Sequence, residues 1–96
     1  MPTAATSMQI AHMMKAMSIE ARVRLLFHLR QVKEVRAYEL QAVLNLTQST
    51  ISHHLRVLRT EGLIEEEKKT RIIRLSPGVS NLLSAVEQAA TQLYVK

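Results

Sequence analysis

The chain has 96 residues, 47% hydrophobic and 22% charged, with no cysteine and a formal net charge of +5. That is room for one hydrophobic core and no second domain, and it excludes disordered, collagen-like and low-complexity classes. The lack of cysteine removes disulfides, thiolate nucleophiles, thiolate metal sites and cysteine redox sensing together.

Residues 1–7 are small and polar and read as a flexible N-terminus, with neither the basic nor the apolar region of a signal peptide. A single domain over 8–96 follows. Ile10, Met13, Met14 and Met17 recur at i, i+3, i+4, i+7 and predict a first helix from Met8. Ser18 is the expected N-cap of a second helix that runs to Gln31 or Val32. Its inner face is Ile19, Val23, Leu26 and Phe27, widened by Leu25 and Leu29, with Arg22, Arg24 and Arg30 outside or at the edge. Lys33–Arg36 reads as a polar link with Val35 as an apolar anchor. A short helix over Tyr38–Leu44 is expected to bury Leu40, Val43 and Leu44 and to stop at Asn45, a residue that tolerates the left-handed conformation. Thr47 caps the next helix, Gln48 to Glu61, which ends at Gly62.

Beyond Gly62 the pattern changes. Leu63–Lys68 and Arg71–Leu75 flank a polar tip and predict a β-hairpin, with Glu65, Glu66 and Glu67 facing Arg71 and Arg74. Pro77 and Gly78 break the chain before a last helix over Val79–Tyr94. Helices joined by the turn Asn45-Leu46-Thr47, then a hairpin, make a winged helix-turn-helix. The fold class is mainly α with a small β-hairpin and five helices.

The helix Gln48–Glu61 carries the chemistry. Ile51, Leu55 and Leu58 form its buried stripe. The opposite stripe, Ser49, Ser52, His53, Arg56 and Thr60, holds hydroxyls, an imidazole and a guanidinium, but no carboxylate. An ordinary solvent face mixes Glu with Lys; this one has the groups that hydrogen-bond base edges in a major groove. The basic net charge points the same way, toward a polyanionic partner. Aromatics are only 3% (Phe27, Tyr38, Tyr94), so duplex is favoured over stacked single strands. Gln48, Ser49, Ser52, His53 and Arg56 are the candidate base readers. Thr47, Arg59, Lys68, Lys69 and Arg71 are the candidate phosphate contacts. The carboxylates Glu65–Glu67 argue that the hairpin tip, rather than its strands, touches DNA.

The run from Leu46 to Arg59, LTQSTISHHLRVLR, resembles the recognition-helix signature of the ArsR-type transcriptional repressors. Lys15–Leu26 is similar to the segment that precedes it in that family, with Ile19-Glu20 where Asp-Pro is usual. Arg59–Ile64 matches the approach to the wing, and the resemblance covers Ile10–Leu75. It implies a homodimeric winged helix that binds palindromic operators in double-stranded DNA and represses transcription. The family's metal sites do not carry over. Arg36 and Tyr38 stand at the positions of one cysteine pair, and Val79–Lys96 has neither His nor Asp. The expectation is no metal site and no cofactor, with any small-molecule or protein effector unspecified.

Pairing has a candidate surface. Ile10, Met13, Met14 and Met17 on the first helix, and Val79, Leu83, Val86, Ala90 and Leu93 on the last, exceed what one small core can cover. They are the expected dimer interface. No apolar run reaches the about 18 residues of a membrane span, so a cytoplasmic address is expected. Ser52 and His53 are adjacent and diverge by about 100° on a helix, too far apart in direction for a nucleophile–base pair, and no enzyme is expected. Two alternatives stay open. Met8, His12, Met13, Met14 and Met17 have thioether and imidazole groups suited to a soft metal ion, although Met at core spacing is usually filler. The winged helix could also serve as a protein-interaction module.

Overall fold

A leucine-rich core fixes every element in the computed structural model, which describes residues 4–95. The order is α1 (Ser7–Ala16), α2 (Glu20–Val32), β1 (Glu34–Arg36), a 3-10 turn (Ala37–Glu39), α3 (Leu40–Leu44), α4 (Gln48–Thr60), β2 (Ile64–Glu66), β3 (Ile72–Leu75) and α5 (Val79–Tyr94). Leu25, Leu26, Leu40, Leu58, Ile73 and Leu83 are fully enclosed at the centre. No helix among the described residues is long and apolar enough to cross a membrane.

Helix boundaries follow local chemistry. At the start of α1, the Thr6 hydroxyl accepts from the Gln9 backbone (3.1 Å) while the Gln9 side chain accepts from the Thr6 backbone (2.9 Å), a capping box. The helix therefore begins one residue before the expected Met8. Residues 1–3 of the expected flexible N-terminus lie outside the described residues. Ser18 does not cap α2: its hydroxyl donates back to the Lys15 carbonyl (2.7 Å), and Ile19 takes the N-cap position with no side-chain bond. Asn45 ends α3 in the left-handed conformation, at φ 54° and ψ 49°. Thr47 caps α4 through the Thr50 backbone. After α4, Gly62 at φ 75° lets its own N–H reach Arg59 and that of Leu63 reach Leu58, both at 2.9 Å. This is the double C-cap that a left-handed glycine permits.

The expected polar link at 33–36 is partly a strand. β1 pairs antiparallel with β3 (Val35 opposite Ile73), and β3 also pairs with β2 (Glu66 opposite Ile73). The hairpin thus gains a third strand, with β3 in the middle. Val35 is buried between exposed neighbours, the alternation of a half-covered strand. Directly paired residues share a face, so Glu66 lies on the same side as the buried Val35 and Ile73. Arg74 pairs with Glu34 on the new strand (2.9 Å) rather than with a wing glutamate.

Three burial expectations change. Val43 is 40% exposed because α3 is only one and a half turns long and turns just Leu40 and Leu44 inward. Ile19 is exposed at the α2 N-terminus. Arg22, expected outside or at the edge, is buried: its Nε donates to the Ala16 carbonyl (2.6 Å) and its Nη1 lies 3.4 Å from His54 Nδ1. It ties the end of α1 to α2 and α4. Arg24 reaches the Val43 carbonyl instead of a carboxylate.

Ile73→Ala is expected to cost about 2–5 kcal/mol, since it opens a cavity at the sheet centre, while Val43→Ala should stay within about 0.5 kcal/mol. Urea unfolding distinguishes them. Burial, then the Arg22 and His53 charges, hold the His54 pKa below its usual 6.5. The folded state then binds fewer protons than the unfolded one just below 6.5. The contribution is complete above that value and is lost as pH falls through the window beneath it. Stability should decline on going from about pH 7 to 5, and His54→Gln should flatten the decline. Equal slopes in both proteins would contradict this role for His54.

Candidate nucleic-acid interface

The recognition surface starts from how α4 is seated. Ile51, Leu55 and Leu58 are buried, as expected, and His54 joins them through Arg22. His54 is thus an inward residue. Gln48, Ser49, Ser52, His53, Arg56 and Thr60 are all exposed. The stripe expected to face a groove is therefore open along more than two turns of one helix. Ser52 and His53 make no hydrogen bond to each other among the described residues.

The phosphate candidates divide. Thr47 caps the helix, and its hydroxyl also donates to Thr50 Oγ1 (3.0 Å). Lys68 and Lys69 are exposed at the hairpin tip. Arg59 and Arg71 are not free: both turn onto Glu66. Arg59 Nη1 lies 2.8 Å from Glu66 Oε1 and Arg71 Nε 2.8 Å from Glu66 Oε2. The Glu66 side chain is only 10% exposed. Its Oε2 has charge contact with Arg71 but no aligned hydrogen bond. One carboxylate so joins the recognition helix to the wing. Arg71 holds φ 60°, a left-handed conformation unusual for a side-chain-bearing residue, at the base of the tip.

A cavity of about 440 Å³ opens between these elements. It is lined by Gln48, Ser52, Arg59, Glu66 and Arg71, over a floor of Ile51 and Leu55, and by Arg36, Tyr38 and Gln41. The last three were not among the candidate residues. Only Arg36 has a signal, the alternation Glu34-Val35-Arg36 of a strand that brings it beside β3; Tyr38 and Gln41 follow it on the 3-10 turn and α3.

The expected dimer residues also divide. Val79 and Leu83 belong to the chain's own core, because α5 lays its first two turns on α2. Met13 and Met17 are partly buried against that core. Ile10, Met14, Val86 and Leu93 are exposed, and Ala90 is partly covered. Of the Met/His group, His12 and Met13 share a shallow hollow with Glu61, which Met8 and Met14 do not line.

This is the geometry of a winged helix-turn-helix: a seated recognition helix, an open polar stripe and a β-wing beside it. The profile of the bacterial regulatory protein arsR family matches residues 20–66. The chain is 30% identical to HlyU from Vibrio cholerae in its reduced form, with 94% of this chain and 93% of that one covered and a TM-score of 0.72. It is 27% identical over 82 residues to a cadmium resistance transcriptional regulatory protein, a CadC homologue from Staphylococcus aureus, covering 85% of this chain and 68% of that protein. A homodimeric winged helix-turn-helix DNA-binding domain from Mycobacterium bovis, described as a possible ArsR-family regulator, shares the fold at 21% identity and a TM-score of 0.76, covering 100% and 94% of the two chains. The chain belongs to the ArsR family of DNA-binding transcriptional regulators.

Glu66→Gln should weaken the wing locally by about 1 kcal/mol, a several-fold rise in amide exchange over 67–71, with α4 amides near Leu55 unchanged. Unchanged exchange at the wing would show that the bridge does not hold it.

Proposed function

We propose that this chain is a homodimeric repressor that binds a palindromic operator and blocks transcription by occupying it. The observation that carries this reading is the exposed, carboxylate-free stripe Ser49, Ser52, His53 and Arg56, with Gln48 at its leading end. In the major groove these groups read bases, while Thr47, Lys68 and Lys69 hold phosphates. Arg59 and Arg71 reach phosphates only by sharing or leaving Glu66.

Pairing is supported by apolar surface left uncovered in one protomer. Ile10 and Met14 on α1, and Val86 and Leu93 on α5, are exposed. With Ala90 and the outer sides of Met13 and Met17 they make the dimer face; the homodimeric domain from Mycobacterium bovis has the same fold. Two recognition helices about 34 Å apart then meet successive major grooves. The protein acts in the cytoplasm, where its duplex is.

Control does not run through the metal ion suggested by the name of the cadmium-resistance relative. The sequence has no cysteine, and Glu87, the one acid of α5, is held by Arg30 at 3.2 Å. No catalytic role is assigned to Ser52 and His53.

Selection from a random duplex library tests the reading. The expected result is a palindromic motif that survives raised salt and is unchanged by zinc or chelator. Arg56→Ala should relax one position in each half-site, by about 1–3 kcal/mol of discrimination. Binding with no enriched motif, lost steeply with salt, would instead mean counterion release alone. A large zinc effect would overturn the metal-independent part.

A further inference from the structure

The cavity between the recognition helix and the wing has a charge balance that base reading does not require. Three guanidiniums line it, those of Arg36, Arg59 and Arg71, against the single carboxylate of Glu66. Glu66 is already shared by Arg59 and Arg71. Arg36 has no carboxylate partner among the described residues. It is exposed on β1, and its backbone is fixed by the pairing with Ile72 and by a 3.0 Å bond from its N–H to Glu39. An unpartnered guanidinium carried on a fixed backbone, beside two part-neutralised ones and over a floor of buried Ile51 and Leu55, is a fork for a planar or tetrahedral oxyanion. A cavity of about 440 Å³ holds more than one such group.

We propose that this cavity is a phosphoryl-binding site anchored by Arg36, and that a free phosphate group and a backbone phosphate of the duplex compete for it. The duplex half rests on the DNA-binding reading above; the free-anion half does not. Because Gln48 and Ser52 line the same cavity, an anion seated there stands against the leading end of the recognition helix. A small phosphorylated ligand would thereby reduce DNA binding with no metal involved.

The test uses the full chain and inorganic phosphate, titrated at constant ionic strength against chloride, with the arginine side-chain N–H resonances followed by NMR. Saturable shifts at Arg36, Arg59 and Arg71 are expected. Arg36→Gln should weaken phosphate binding about tenfold; Arg24→Gln, which removes the same charge elsewhere, should not. Non-saturable shifts, or equal affinity in Arg36→Gln, would overturn the site whether or not the chain binds DNA. A second arm measures the salt dependence of duplex binding. If a backbone phosphate occupies the cavity, Arg36→Gln lowers the slope by about 0.9, and phosphate competes with duplex in the wild type more than in the variant. An unchanged slope would overturn the duplex half while leaving the DNA-binding reading intact.

Discussion

Everything functional in this fold depends on one packing constraint: the inner stripe of α4 must be buried. Ile51, Leu55 and Leu58 are locked against the leucine core, and the helix cannot roll about its axis without exposing them. Fully burying such a side chain is worth about 1.5–3 kcal/mol. The opposite stripe is therefore presented as a rigid surface. The buried Arg22 adds a polar tie at the same place, through the Ala16 carbonyl and His54. A polar group with defined partners resists small shifts of the helix more sharply than apolar contact alone, since a misplaced buried donor loses its bond outright.

The wing is placed by different physics. Its strands are short, and β3 is held from both sides by β1 and β2. Register puts Glu66 on the covered face, where a carboxylate needs partners, and Arg59 and Arg71 supply them. A charge that would be costly alone becomes the joint between helix and wing. The same joint lowers the net positive potential beside the recognition helix. It leaves Arg36 and the lysines of the tip as the cations least compensated by carboxylates on that side.

The winged helix-turn-helix was legible because its signals are local. Asn45, Thr47 and Gly62 mark helix ends by conformational preference, and the stripes of α4 are separated by plain helical periodicity. What could not be read involved partners distant in sequence. Arg22 looks like a surface cation until α1 brings a carbonyl and α4 an imidazole to it. Val35 looks like a loop anchor until β3 arrives beside it. Val79 and Leu83 share their stripe with Val86 and Leu93, and periodicity cannot say which end of α5 packs on the chain's own core. The candidate DNA-facing residues were found by chemistry, yet two of them, Arg59 and Arg71, are engaged by a glutamate whose inward direction depends on strand register.

On the proposed reading, duplex DNA meets the outward face of α4 and the wing tip. Amide chemical-shift mapping with a short duplex tests it most directly. Perturbations are expected to concentrate at 47–56 and 68–71, with α2 and the core-facing turns of α5 silent. A hollow on the face of α2 is lined by Arg24, His28 and Arg30; perturbations centred there, with α4 unaffected, would contradict this.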